Sequence, residues 1–184
     1  MDVESFARYA ATMNLLVNGD DMAGPGQNYY LWYDLETKKI SVISWDLNLA
    51  MTGNATASPD EQVSMGGGGG GLQRPQGDDD DAGAPPAGAP AGGGAAGGAG
   101  GGGRGGNELK ERFLASDAFA SLYDDAYADL YNQLYGSGTA AGLLDRISAV
   151  VPSSDGLTPE ELAQQAETLR TFIQERTEAL KDQV

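Results

Sequence analysis

Asp20 and Asp21, with Asn28 a short way on, and then Asp46 and Asn48 are the side chains whose types and spacing can do chemistry in this sequence. Between the two sets runs a stretch rich in aromatic and β-branched residues, Tyr29 to Ser44. If that stretch folds back on itself as a hairpin, its two ends lie side by side and the carboxylates and amides converge on one rim. There one carboxylate can serve as general base while another carboxylate and an amide hold Mg²⁺ through oxygen. The same residues also suit a purely structural use, with Asp20 and Asp21 making Asx turns in a Gly/Pro loop and Asp46 capping the turn after it.

Chemistry rests on these groups because the 184-residue chain has no His and no Cys. Ser-His-Asp and Cys-His catalysis, Cys/His zinc sites and disulfides are therefore excluded within it. With 11 Lys and Arg against 27 Asp and Glu, the net charge is −16, which excludes sequence-independent binding of nucleic acid. No apolar run is long enough to cross a membrane, and the acidic start lacks the basic character of a signal peptide, so nothing in the chain directs export.

The elements that must position the candidate residues follow from periodicity. Val3, Phe6, Ala7, Ala10, Met13 and Val17 recur at helical spacing and predict a helix over 3–17, stopped at Asn18-Gly19 by glycine in the left-handed cap conformation. A loop over 20–27 contains Gly24-Pro25-Gly26; strands follow at 28–34 and 40–46, joined by the polar Glu36 to Lys39, with loop over 47–65.

Residues 66–106 hold most of the 28 glycines, four consecutive aspartates at Asp78 to Asp81, and almost nothing to bury. Such a segment cannot recover its ordering entropy and reads as a disordered insertion. Its glycine run is not a phosphate loop, since no Gly-Lys-Ser/Thr follows. Replacing 66–106 by a shorter Gly/Ser linker is expected to leave the thermal midpoint within a few degrees by circular dichroism. A large loss of helical signal would instead show that the segment packs.

The rest reads as helical: 108–113, then a long helix carrying Phe119, Leu122, Tyr123, Ala126, Tyr127, Leu130, Tyr131, Leu134 and Tyr135 and ending at Gly136 and Gly138, then 140–151. The four tyrosines at four-residue spacing read as core packing with hydroxyls at the edge. Thr158-Pro159-Glu160-Glu161 is a capping box that opens a final helix with Leu162, Ala166, Leu169, Ile173 and Leu180 inward. The fold class is α+β, organised as 1–65 (helix and hairpin), 66–106 (insertion) and 107–184 (helical segment of the same domain).

The run Asn18-Gly19-Asp20-Asp21-Met22-Ala23-Gly24-Pro25-Gly26-Gln27-Asn28-Tyr29-Tyr30-Leu31-Trp32-Tyr33-Asp34, followed by Ser44-Trp45-Asp46-Leu47-Asn48, resembles the core of the spore-coat-protein-H (CotH) kinase family. Members show an Asn-x-Asp loop, a Gly-Pro-Gly-x-Asn-Tyr-Tyr-Leu-Tyr strand and a Trp-Asp-Leu-Asn/Asp exit. The resemblance implies a kinase-like fold of which this chain is the C-terminal lobe, and phosphorylation of Ser or Thr in coat or surface proteins with ATP and Mg²⁺ or Mn²⁺. By position it makes Asp20, with Asp21 as the alternative, the aspartate that orients the acceptor hydroxyl, and Asp46 the metal-holding aspartate, with Asn28 and Asn48 as weaker metal candidates.

A nucleotide-covering lobe with a phosphate-binding Lys would precede Met1, because Lys38, Lys39, Lys110 and Lys181 fit no such strand. The chain therefore reads as a truncated portion, inactive alone, with no nucleotide-binding residues of its own. The parent family implies an extracellular, envelope or spore-coat location. The alternative function is a non-catalytic surface or coat interaction protein.

Overall fold

The computed structural model describes residues 1–24, 27–61, 63, 107–153 and 156–184, so the expected insertion at 66–106 lies outside the described residues. The architecture is α+β: helix α1 (Val3–Leu15), strands β1 (Tyr29–Tyr33) and β2 (Ile40–Ser44), then helices α2 (Glu108–Leu114), α3 (Asp117–Tyr131), α4 (Thr139–Ser148) and α5 (Pro159–Leu180). A single π-helical turn, Asn132–Gly136, prolongs α3.

Helix α1 begins at Asp2, whose carboxylate accepts the Ser5 N–H at 3.1 Å. That bond holds the Asp2 carboxyl below its ordinary pKa. The Asp2 N–H donates to Ile40 O at 2.8 Å and so ties the start of α1 to β2. Phe6, Ala7, Ala10 and Met13 are buried, as their spacing requires, in a core shared with Phe113, Tyr127 and Ile173.

The helix stops two residues short of the expected end, and no glycine caps it. Val17 takes the left-handed conformation instead, with φ of 49°. A β-branched residue there costs about 1–2 kcal/mol. Burying Val17 against Ala55 and Phe172 offsets that cost.

The hairpin pairs Tyr29 with Ser44 through to Tyr33 with Ile40. Its turn is organised by Asp34, whose carboxylate accepts the Glu36 and Thr37 N–H groups at 2.7 and 2.8 Å. Both strands are shorter than expected: Asp46, at φ of 47°, ends the extended run beyond β2, although Trp45 N–H still reaches Asn28 O at 3.1 Å. Val42 is buried, whereas Tyr30, Leu31, Trp32, Tyr33, Ile43 and Trp45 are exposed.

The four spaced tyrosines pack in the core as expected; the hydroxyls of Tyr123 and Tyr131 are bonded at its part-buried margin, whereas those of Tyr127 and Tyr135 are bonded inside it. Tyr123 donates to Pro59 O, Tyr127 to Asn14 Oδ1, Tyr131 to Thr177 O and Tyr135 to Leu15 O, all at 2.8 to 2.9 Å. A four-residue step turns a helix by about 40° beyond a full rotation, so successive rings meet different segments.

On α5 the capping box is present: Thr158 N–H donates to Glu161 Oε2 at 2.9 Å and Glu161 N–H to Thr158 Oγ1 at 3.2 Å. Ala166, Ile173 and Leu180 face the core. So does Arg176, which is fully buried and was not among the expected inward residues. Its guanidinium donates to the carbonyls of Asn14, Leu15, Ala55 and Ala57, to Asn14 Oδ1 and to the Tyr127 hydroxyl. No carboxylate pairs with it among the described residues. Two of those carbonyls belong to the last turn of α1, which has no basic residue of its own, so α5 supplies the cation that a helix C-terminus favours.

Candidate functional site

The loop that leaves α1 is held from several sides. Asn18 N–H donates to Met13 O at 2.9 Å, and Asn18 Oδ1 accepts the Asp20 N–H at 3.2 Å. One residue on, Asp21 is completely buried; one carboxylate oxygen accepts the Ala23 N–H at 2.8 Å and the other forms an ion pair with Lys110 of α2. Met22 N–H donates to the Tyr9 hydroxyl at 3.0 Å, and Met22 O accepts from Asn107 Nδ2 at 3.3 Å. Burial, aided by the Asp21 carboxylate, pushes the Tyr9 phenol well above its ordinary pKa.

Asp20 faces the hairpin. Its Oδ2 accepts from Asn28 Nδ2 at 2.8 Å, while the Asn28 carbonyl accepts from Trp45 N–H. Asp20, Asn28 and Trp45 are thus linked, and Asp46 is the next residue beyond that link. Asp46 is exposed, and its Oδ1 accepts the Asn48 N–H at 3.4 Å; Asn48 is likewise exposed. Of the five residues singled out from the sequence, Asp20 and Asn28 are therefore in contact, Asp46 and Asn48 lie just beyond them, and Asp21 turns away into the core. The Asx-turn alternative also holds in part, at Asp21 and Asp46.

Gly24 closes against this loop. A Cβ there would stand 2.4 Å from the Asp20 Cα and 2.5 Å from the Gly19 carbonyl oxygen, which no side-chain rearrangement can relieve. Gly24→Ala is expected to displace Asp20 and to cost about 1–3 kcal/mol, the usual range for overpacking. Urea unfolding measures the loss, and a cost below a few tenths of a kcal/mol would show that the loop has room.

The donor set suits a hard cation. Mg²⁺ is commonly held by one or two protein carboxylates together with phosphate oxygens and water, so Asp46 with an oxygen from Asn28 or Asn48 is sufficient. Among the described residues no group of three or more carboxylates forms a self-contained metal cage.

Sequence reasoning missed the residues that brace this loop, Tyr9, Asn107 and Lys110, and those that tie the end of α1 to the segment after the hairpin, Asn14 and Arg176. Lys110 meets Asp21 across 89 positions and carries no local signal. Asn14 and Arg176 did carry one, since each interrupts an apolar helical face. Asn14 Nδ2 donates to the carbonyls of Ser58, Pro59 and Glu61, fixing the loop after the hairpin.

A family model described as CotH kinase protein matches residues 1–180. No curated protein and no solved structure matches the chain.

Proposed function

Because the chain belongs to the CotH kinase family, which its match spans almost end to end, we propose that it carries the acceptor and metal side of a protein phosphotransfer site. The single observation that carries this reading is the Asp20–Asn28 hydrogen bond at 2.8 Å at the base of the hairpin, one residue from Asp46 across the strands. In this reading Asp20 accepts the proton hydrogen bond of an incoming Ser or Thr hydroxyl and orients its oxygen. Asn28 holds that carboxylate in place. Asp46, with Asn28 or Asn48 as weaker partners, holds the divalent cation that neutralises nucleotide phosphates. Asp21 is the poorer candidate because its carboxylate is committed to Lys110 inside the protein.

The proposed substrates are Ser- or Thr-bearing surface or coat proteins, with ATP as donor. Of the four lysines, Lys110 is paired with Asp21, Lys181 with Glu178 and Lys39 with Asp2, and Lys38 lies in the hairpin turn. None is placed to grip phosphate beside Asp46, so the chain alone is expected to give no transfer.

Asp46→Ala and Asp20→Ala, placed in a polypeptide joining this chain to a nucleotide lobe, separate the two roles. Asp46→Ala is expected to abolish Mg²⁺-dependent nucleotide binding. Asp20→Ala is expected to leave binding intact and slow transfer by about 10²–10⁴-fold. A binding titration and a single-turnover assay with labelled ATP measure both. Equal and small effects would overturn the assignment. They would favour the second reading, a non-catalytic surface or coat interaction protein, which the exposed aromatic hairpin supports.

A further inference from the structure

A cavity of about 180 Å³ opens between α1, residues 59–61 with Val63, α2 and α3. Small-molecule and cofactor sites typically occupy about 300–1,000 Å³, so this one is sized for a single side chain and not for a nucleotide. Part of its lining is apolar and aromatic. Phe113 and Phe119 stack with ring centroids 5.0 Å apart and planes 8° from parallel, and Leu114, Ala10 and Ala120 belong to the same part. Tyr123 forms a further wall and is pinned to the rim by its bond to Pro59 O.

The same cavity is lined by three acidic residues, Asp60, Glu61 and Asp124, all of them exposed. None of the three makes an ion pair among the described residues. Among the described residues the Glu61 carboxylate accepts the Ser58 N–H, at 3.4 Å. Among the described residues two cations lie nearby and both are already engaged. Lys110 lines the cavity and is held by Asp21, and Arg176 is behind Asn14, shared among carbonyl, amide and phenol oxygens. Among the described residues the charge at the opening is therefore negative. The chain's net charge of −16 extends the same sign to long range.

An occupant must combine an apolar stem long enough to cross aromatic rings with a cationic head that reaches the carboxylates. Arginine meets both demands better than lysine. Its planar guanidinium stacks on aromatic faces and engages carboxylates through several N–H groups at once, whereas an ammonium is a compact, strongly hydrated point charge. A free amino acid would bring its own carboxylate against the acidic opening. We infer that this cavity is a docking site for an arginine side chain of a partner polypeptide. The inference does not depend on phosphoryl transfer, and no nucleotide enters its test.

The full chain, uniformly labelled with ¹⁵N, is titrated at low ionic strength with acetyl-Gly-Gly-Arg-Gly-Gly-amide and with the same peptide carrying norleucine or lysine at the centre. The arginine peptide is expected to shift the amides of Val63, Ala120, Tyr123 and Asp124 saturably, more strongly than the lysine peptide, with the norleucine peptide near silent. An Asp60→Asn, Asp124→Asn double variant, altered only at exposed positions, is expected to bind about tenfold more weakly, the scale of two partly exposed charge contacts. Free arginine is expected to bind more weakly than the peptide. Equal binding of norleucine, unsaturable shifts spread over the acidic surface, or an unchanged double variant would overturn the inference. Free arginine binding as well as the peptide would also overturn it, in favour of a metabolite site.

Discussion

A Lys110→Met chain is expected to lose about 3–5 kcal/mol of folding stability, the usual cost of leaving one member of a buried ion pair without its partner. The reason is Asp21, which is fully buried and has no other cation within reach among the described residues. Its Asx bond to Ala23 remains, but one N–H does not compensate a carboxylate taken out of water. Domains of this size hold about 5–15 kcal/mol in total, so the variant would lie near the edge of folding. The double variant Lys110→Met, Asp21→Asn removes both charges and should recover much of the loss. Urea midpoints of the wild type, both single variants and the double variant give the coupling directly. If Lys110→Met costs under about 1 kcal/mol, the pair does not anchor α2 to the loop, and the reading of Asp21 as structural loses its support.

Strong base is expected to unfold the chain cooperatively. Burial raises the phenols of Tyr9, Tyr123, Tyr127 and Tyr135 above their ordinary value of 10.0, that of Tyr135 up to about 12. For a group whose folded pKa is raised, the stability contribution is complete below the unfolded pKa and is lost as pH climbs toward the folded value. The folded chain keeps four protons that the unfolded chain releases above pH 10, and each such proton lowers stability by about 1.4 kcal/mol per pH unit. Together they would exhaust an ordinary domain's stability within about two units above 10. Far-ultraviolet circular dichroism and tyrosinate absorbance, followed together, should show helix loss and phenol ionisation in one transition. Tyr135→Phe should make that transition less steep. Ionisation of all eight tyrosines before any helix is lost would contradict the buried hydroxyl network.

The contrast between these two predictions reflects what a single sequence makes visible. The capping box of α5, the apolar stripe of α1 and the hairpin were legible because their causes lie within a few residues, in spacing and cap chemistry. Asp20 and Asn28 were legible as neighbours because a hairpin must return. Asp21 was not separable from Asp20 in sequence, since the difference between them is a lysine 89 positions away. The end of α1 was misjudged for a related reason. Glycine is the local choice for a left-handed residue, yet Val17 takes that conformation because Ala55 and Phe172 bury its side chain. The tyrosine hydroxyls escaped notice because each finds its acceptor on a different distant segment.

Arg176 also sets an order of events during synthesis. Its bonds to Asn14 and Leu15 span about 160 positions. Closing so long a loop costs little more at equilibrium than closing a shorter one, because the entropy grows only with the logarithm of length. In time the cost is different, since a contact that distant waits until every residue between its partners has left the ribosome. Until α5 emerges, the last carbonyls of α1 lack the guanidinium, with the Tyr135 hydroxyl and the Val17 N–H as their other donors, and the turn at Val17 has no Phe172 to hold it. The exit from α1 that leads into the Asp20 loop thus gains its full set of bonds only once α5 is in place.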